Sequence, residues 1–286
     1  MAAAGSGHCA SCGHQFQTDG AIRSWNGSAS EPQRRDLLGL IRRQLNPVGS
    51  PLSPLRYFGD WRVEQYYRRT LSDRSLADAW SAHYLAGLNL EPGGAVLDHG
   101  CGRGRNAALL AQLGFDVSAQ DLRPHTWWHT IRGCRFQQVP STAPRLPWSD
   151  SSFALVLDVT VIHHLDDSQL RALAAEVHRV LAPGGYWLLL EANSESCGAA
   201  APRRYYGGRL HTFEDVERLT SAAGFHRIDY SYEGFYSPLF PGIVNFIRKQ
   251  AWPAPMTIED FDSRLASMIP ARRRALWLLR LQKPRS

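Results

Sequence analysis

A glycine-rich motif of the form D-x-G-x-G-x-G lies between an apolar run and a segment of helix-forming composition. Its residues are Asp98, Gly100, Gly102 and Gly104. A turn of this kind between a strand and a helix lets the backbone approach a ligand closely. Arg105, not lysine, follows the last glycine, which excludes a Walker A phosphate loop. The same arginine stands where a dinucleotide fingerprint requires its third glycine, so that motif is excluded too.

Two acidic residues end successive apolar runs. Asp98 ends AVLD directly before the glycines, and Asp121 ends FDVSAQD. An acid at the first position would repel a pyrophosphate but would suit a ligand that carries an ammonium group. An acid at the second position could accept two hydrogen bonds from a ribose diol.

The surrounding sequence predicts the elements that position these residues. Apolar or alternating runs that indicate strands lie at 95–98, 115–121, 135–139, 153–162, 186–191, 226–235 and 275–284. Helical patterns lie at 106–113, at 168–181 and in the segment that Thr212 begins. Strands that alternate with helices at this spacing indicate βαβ units and a parallel sheet. About forty residues before the last strand, 236–274, form an insertion that we expect at the surface, over a ligand site.

The N-terminal segment contains the pattern HCASCGHQF. Cys9 and Cys12 have the spacing of a zinc knuckle, and His8 or His14 could supply further ligands. No second cysteine pair follows about twenty residues on, as a zinc ribbon normally requires. We therefore expect a degenerate, metal-free knuckle in a loosely structured tail.

The composition is that of an ordinary globular protein, with 44% hydrophobic and 20% charged residues among 286. The formal net charge of +6 is too small to require a nucleic-acid partner. Five cysteines argue against a disulfide scaffold. No apolar run is long enough to span a bilayer, and MAAAGSGHCA lacks the features of a secretory signal. We expect a cytoplasmic protein, a monomer or a homodimer, and the preference for arginine over lysine suggests a bacterial source.

The stretch VLDHGCGRGRNAALLAQLGFDVSAQDLRP resembles the opening motifs of class I S-adenosylmethionine (SAM) methyltransferases, particularly the group that includes ubiquinone and menaquinone methyltransferases. LPWSDSSFALVLDVTVIHHL and EVHRVLAPGGYWLLLE resemble later motifs of the same family, in the same order. The resemblance implies a Rossmann-like, seven-stranded, mostly parallel α/β sheet with helices on both faces. Composition and pattern along the chain add two regions before the SAM-binding catalytic domain (89–286): a tail (1–33) and a helical N-terminal cover (34–88).

The resemblance assigns roles to individual residues. Asp98 would hold the methionine ammonium group and Asp121 the ribose hydroxyls, while Leu122 would pack on the adenine. Four residues of the turn would line the cofactor: Gly100, Cys101, Gly102 and Gly104. Asp158, at the end of the fourth strand, would lie near the methionine part or the acceptor.

Two positions depart from the family pattern. Thr142, followed by Ala143, stands where the family usually has an aspartate that accepts the adenine amino group, and a threonine hydroxyl accepts that bond more weakly. His99 replaces a residue that is usually apolar, and the sequence gives no reason for it.

Two histidines follow the fourth strand. In some family members that act on small molecules, the histidine that matches His163 is a general base paired with an N-terminal tyrosine. Tyr66 and Tyr67, or Tyr57, are the candidate partners here. His163 could instead be structural, and we expect His164 to pack or to cap the next helix.

The acceptor pocket should come from 57–84, 193–211 and 236–274, and Glu191 either contacts the acceptor or is a solvated strand end. The resemblance predicts methyl transfer to an O, N or C atom of a small molecule. An RNA or protein substrate is the first alternative, although no basic stripe or stacking platform supports it. A non-catalytic SAM-binding protein is the second.

Overall fold

The computed structural model describes residues 5–9, 14–18, 68, 70–139, 145–196, 210–234 and 266–285, the first two ranges as backbone only. The strands are β1 (Gly5–Cys9), β2 (His14–Thr18), β3 (Ala95–His99), β4 (Asp116–Asp121), β5 (Cys134–Gln138), β6 (Phe153–Val159), β7 (Leu181–Ala192), β8 (His226–Glu233) and β9 (Leu276–Gln282). The α-helices are α1 (Arg74–Tyr84), α2 (Arg105–Gln112), α3 (Asp167–Val180) and α4 (Phe213–Ala222). Short 3₁₀ helices cover Thr126–Thr130, Ile162–His164 and Ala271–Arg273.

Seven strands form one sheet in the order β5-β4-β3-β6-β7-β9-β8. The five strands from β5 to β7 in this order are parallel, and β9 runs antiparallel to both of its neighbours. The chain order reverses between β3 and β6, so their carboxyl ends border the crevice where ligands bind in open α/β sheets. The predicted seven-stranded, mostly parallel α/β fold is confirmed.

Apolar side chains cover both faces of this sheet. One core cluster includes Leu97, Val156 and Trp187, together with residues of α3 and α4. The other includes Val96 and Leu155, together with residues of α1 and α2. Alternation along each strand therefore sends successive residues to opposite layers, which decides the surroundings of every polar residue near the carboxyl ends.

Side-chain N-caps mark the start of two of the helices, α3 and α4. The Asp166 side chain accepts the Gln169 N–H at 2.9 Å, and the Gln169 side chain accepts the Asp166 N–H at 2.8 Å, which together form a capping box. Thr212 caps α4 by accepting the Asp215 N–H at 3.1 Å. Asp167, the residue after the Asp166 cap, is the first residue of α3.

The N-terminal region departs from the loosely structured tail that we predicted. Strands β1 and β2 pair as an antiparallel hairpin, with Cys9 opposite His14. Cys12, between the two strands, lies outside the described residues, as do most of the predicted cover and most of the insertion over 236–274. Among the helices that the structure describes, none has the length and apolar character needed to cross a membrane.

Candidate functional site

The glycine turn (Gly100–Gly104) connects β3 to α2, and its three glycines all have positive φ. A Cβ on Gly100 would lie 2.6 Å from Val161 Cγ2, and one on Gly104 would lie 2.8 Å from Ile131 Cδ1. Neither position can therefore hold a side chain without displacing a neighbour. A Cβ on Gly102 would meet nothing within 4 Å, so open space lies beside the middle of the turn.

Asp98 lies directly before the turn and is almost completely buried. Its Oδ2 accepts the Ala107 N–H of α2 at 2.9 Å. Burial raises the pKa of Asp98 to about 8, against the opposing effect of that hydrogen bond and with the help of the nearby Asp158 and Asp121 carboxylates. A buried carboxyl group of this kind gains from a cationic partner, which an ammonium group would provide.

Asp121 ends β4 and faces the same turn. Its Oδ2 accepts the Gly102 N–H at 2.8 Å, and its Oδ1 accepts the Arg123 N–H at 3.3 Å. Burial raises its pKa, and these two backbone hydrogen bonds oppose the shift. Leu122, the next residue, is half-buried beside it. The structure therefore brings Asp98 and Asp121 to the glycine turn and the start of α2, while their roles towards a cofactor, and that of Leu122, stay predictions.

Cys101, inside the turn, is buried, and its N–H donates to Gln120 O at 2.9 Å. Burial raises the pKa of its thiol far above the ordinary value. The thiol therefore stays protonated and unreactive near neutral pH, and the side chain acts as a small apolar residue in the wall of the site.

Asp158 has a different environment from the one we predicted. Its carboxylate is fully buried, with Oδ1 2.5 Å from His99 Nδ1 and Oδ2 accepting Trp187 Nε1–H at 2.6 Å. Both oxygens are therefore engaged by protein groups, and a direct contact with the cofactor or acceptor is not what this arrangement provides. The reason is alternation: Asp158 shares a sheet face with His99 and Trp187, opposite the layer that contains α2.

Glu191 and His163 form a buried pair at the ends of β7 and β6. Both side chains are only 2% exposed, and His163 Nδ1 lies 3.0 Å from Glu191 Oε2. Glu191 Oε1 accepts the Ile162 N–H at 2.7 Å and also the Val161 N–H. Glu191 is thus neither a solvated strand end nor exposed to an acceptor. Sequence reasoning missed this contact. A usable signal was present: Glu191 lies at the end of β7, and the neighbouring strand β6 precedes the two histidines.

The turn that carries His163, residues Thr160–His164 (the histidine turn), is held in a strained conformation. Thr160 has φ 56°, in the left-handed region that a β-branched residue rarely adopts. Its N–H donates to Leu190 O at 2.8 Å, which helps to offset the strain. The His164 ring lies against that of His163, with 4.0 Å between the ring centroids.

Five residues of the predicted site lie outside the described residues: Tyr57, Tyr66, Tyr67, Thr142 and Ala143. Their expected roles remain predictions. Among the residues that the structure does describe, no three His, Cys, Asp or Glu side chains converge as metal ligands.

The arrangement has two parts. Open space beside Gly102, the carboxyl group of Asp98 and the carboxylate of Asp121 fit a ligand with an ammonium group and a ribose, as SAM has. The His163–Glu191 pair fits a proton acceptor, because a carboxylate only accepts and so keeps the Nδ1 proton of a neutral ring in place. Nε2 then carries the lone pair.

The chain is similar in sequence to known methyltransferases. A family model described as a methyltransferase domain matches residues 96–185. The chain is 29% identical over 187 residues to a fatty-acid O-methyltransferase of Mycolicibacterium smegmatis, covering 60% of this chain and 61% of the relative. It is 32% identical over 149 residues to a demethylmenaquinone methyltransferase of Tropheryma whipplei, covering 50% of this chain and 59% of the relative. The chain therefore spans about three fifths of the length of these curated relatives.

A solved structure shows the same fold at lower identity. It is the complex between the Haloferax volcanii Trm112 methyltransferase activator and a methyltransferase, matched with a TM-score of 0.53 and 19% identity. The match covers 79% of this chain and 97% of that chain. At this identity the likeness establishes the fold alone.

Proposed function

Residues 96–185 form a class I SAM-dependent methyltransferase domain, and from that premise we propose that the chain methylates a small molecule whose acceptor atom carries a proton. SAM supplies a methyl group on a sulfonium, already activated for in-line displacement. The protein therefore has two tasks, to position the donor and to remove the acceptor proton. An acceptor with an O–H or N–H group requires both the positioned donor and the removal of its proton.

The observation that carries the proposal is the shared edge of the sheet. The carboxyl ends of β3 and β4 bear Asp98 and Asp121, and those of β6 and β7 lead to His163 and Glu191. Asp98 would bind the ammonium group, and Asp121 the ribose. Methyltransferase relatives named for a fatty acid and for demethylmenaquinone support a small acceptor.

His163 is the proposed general base. Glu191 Oε2 holds its Nδ1 proton, so Nε2 can take the proton of the acceptor. The enclosure of both side chains excludes water and strengthens their interaction. Because the ring is only 2% exposed, the proposal requires that a group covering it moves aside when the acceptor enters.

The first experiment is calorimetric titration with S-adenosylhomocysteine, with NAD as the control ligand. We expect micromolar binding of S-adenosylhomocysteine, no signal with NAD, and loss of binding in Asp121→Ala. Acceptors are then found by incubating small-molecule fractions with SAM and recording a mass gain of about 14 Da per methyl, because a CH₃ group replaces a hydrogen at each site.

The proposal has two points of failure. Absence of S-adenosylhomocysteine binding by folded protein would overturn it at the cofactor. Methylation confined to RNA or protein fractions would overturn the small-molecule acceptor while leaving the cofactor site intact. His163→Gln should lose turnover but keep binding of S-adenosylhomocysteine.

A further inference from the structure

His99 and Asp158 are register partners on adjacent strands, at the point where β3 and β6 end. His99 Nδ1 lies 2.5 Å from Asp158 Oδ1, and Trp187 of β7 donates to Asp158 Oδ2 at 2.6 Å. One carboxylate therefore joins three neighbouring strands. The Asp158 side chain is 0% exposed and the His99 side chain 15% exposed, so the pair is enclosed by the sheet and the layer above it.

Stability alone does not account for such a pair. The three strands are already joined by their backbone ladders, and Leu97, Val156 and Leu189 pack around them in one apolar cluster. Desolvation of two charges offsets much of their attraction, and apolar side chains of similar volume often serve stability equally well. What a buried ion pair adds is a fixed geometry between the two elements that it joins.

The elements that this pair joins are the two halves of the proposed site. His99 is followed by Gly100, and Asp158 is followed two residues later by the strained Thr160. Val161, on the other side of Thr160, fills the space where Gly100 would have a Cβ, with 2.6 Å between that position and Val161 Cγ2. His99 thus contacts Asp158, before the strained Thr160, and Gly100 contacts Val161, directly after it.

We propose that His99, acting through Asp158, is a positioning residue that fixes the histidine turn to the glycine turn. This inference rests on the proposed function, because it assigns His99 to the placement of His163 relative to the cofactor site. A residue in a sparsely populated conformation persists only when its surroundings determine it from several sides. Here β7 restrains the histidine turn through Leu190 and Glu191, while His99 of β3 and Gly100 of the glycine turn restrain it from the other side.

The charges around His99 support an ion pair. Burial lowers the pKa of His99, but the attraction of Asp158, the hydrogen bond to it, and the attraction of Asp121 and Asp98 outweigh burial and raise the pKa above its ordinary value. These carboxyl groups belong to β6, β4 and β3. The imidazolium form donates Nδ1–H to Asp158, and that bond is charge-assisted and strongly directional.

The test compares His99→Leu with an apolar version of the whole network, His99→Leu/Asp158→Val/Trp187→Phe. The triple variant removes both charged groups and the indole N–H of this network together, so we expect it to fold even where the single variant does not. The primary readout is the ¹⁵N spectrum of labelled histidine, with the His163 signals assigned by their loss in His163→Gln. This readout needs neither cofactor nor acceptor.

We expect the triple variant to shift His163 from the Nδ1–H tautomer towards a mixture, because the ring is no longer held against Glu191. S-adenosylhomocysteine affinity should stay within about threefold, since Asp121 and the glycine turn keep their contacts. Once an acceptor is known, kcat should fall about tenfold or more, a loss expected from a misplaced base. His83→Leu is the matched control, because His83 lies 2.8 Å from Glu233, a histidine–carboxylate pair between α1 and β8. It should leave the His163 signals unchanged.

Wild-type His163 signals in a folded triple variant would overturn the proposal and leave the pair with a structural role only. Failure of both variants to fold would also overturn it, because the pair would then be required for stability itself. The proposed function fails separately, by absence of S-adenosylhomocysteine binding in the wild-type protein, and the histidine spectra remain decisive in that case.

Discussion

Gly100 leaves space that the Val161 side chain fills: a Cβ on Gly100 would lie 2.6 Å from Val161 Cγ2. The glycine turn and the histidine turn are therefore in direct contact at this point. Gly100 also has φ 66°, so a side chain there meets backbone strain as well as the clash.

Replacing Gly100 with alanine tests this contact. We expect Gly100→Ala to lower the free energy of unfolding by about 3 kcal/mol, from left-handed strain and overpacking together. Cofactor-product affinity should fall too, because the turn must move. The control is Gly93→Ala, since Gly93 has φ 78° and open space around its Cβ position. It should lose only about 1 kcal/mol. If urea unfolding gave the same loss of unfolding free energy for Gly100→Ala and Gly93→Ala, the Val161 side chain would be shown to move aside without destabilising the protein.

Glu191→Gln replaces one carboxylate oxygen of the His163–Glu191 pair with an NH₂ group, which reverses the direction of the hydrogen bond to His163. If the amide oxygen keeps the Val161 and Ile162 N–H groups, the amide NH₂ faces His163 Nδ1 and donates to it. The proton of the ring then moves to Nε2, which can no longer act as a base. We expect kcat to fall by about 10²–10⁴-fold, with little change in the unfolding midpoint.

The measurement is steady-state turnover with the acceptor found by mass, beside His163→Gln and the double variant. Because the two residues act as one unit, the double variant should be no slower than His163→Gln alone. Full activity in Glu191→Gln, or additive losses in the double variant, would show that Glu191 and His163 do not act as one unit.

Replacing Arg179 tests how α3 holds residues 146–148, which lead into β6. Its guanidinium donates to Trp148 O at 2.8 Å and Leu146 O at 3.0 Å, and it pairs with Glu176 at 2.7 Å. A lysine cannot make this fork of contacts. We expect Arg179→Lys to lower the free energy of unfolding by about 1–2 kcal/mol, whereas Arg171→Lys on the exposed side of the same helix should change it by less than about 0.5 kcal/mol. Indistinguishable unfolding curves for the two variants would contradict the contacts.

Local patterns predicted the alternation of strands and helices and a parallel sheet, and the family resemblance added the seven-stranded arrangement. Strand and helix periods alternate clearly, and Asp166 and Thr212 are recognisable caps, so the order of elements follows from short stretches of chain. The surroundings of Asp158 were not predictable in this way. The strand-end rule places it near the ligand edge, but the face to which it points, and its partner His99, depend on the lateral order of β3, β6 and β7.

The site shows the same division between local and tertiary information. Asp98 and Asp121 were predicted because they lie beside the glycine turn in the sequence or end the next strand. The Glu191–His163 contact joins residues 28 positions apart and depends on two strands ending side by side. The hairpin of β1 and β2 was missed because a Gly- and Ser-rich segment carries little strand signal.

Asp98 gives the site a pH dependence whose sign follows from its environment. Burial raises the pKa of Asp98 to about 8, so at pH 6.5 the free protein holds this carboxyl group protonated. The proposed ammonium partner requires the carboxylate, so binding releases a proton below pH 8. Affinity for S-adenosylhomocysteine should therefore rise by up to about tenfold per pH unit from pH 6 towards 8 and then level off.

The matched variant is Asp98→Asn, whose side-chain oxygen can still accept the Ala107 N–H but carries no charge. It should bind more weakly at pH 8 and show a flatter pH profile. Titration of the ligand's own amino group is common to both proteins, so the difference between their profiles reports Asp98 alone. Calorimetry in two buffers of different ionisation enthalpy at pH 7 counts the released protons directly. Parallel profiles with no proton release in either protein would remove Asp98 from the ammonium site and assign it to capping α2 only.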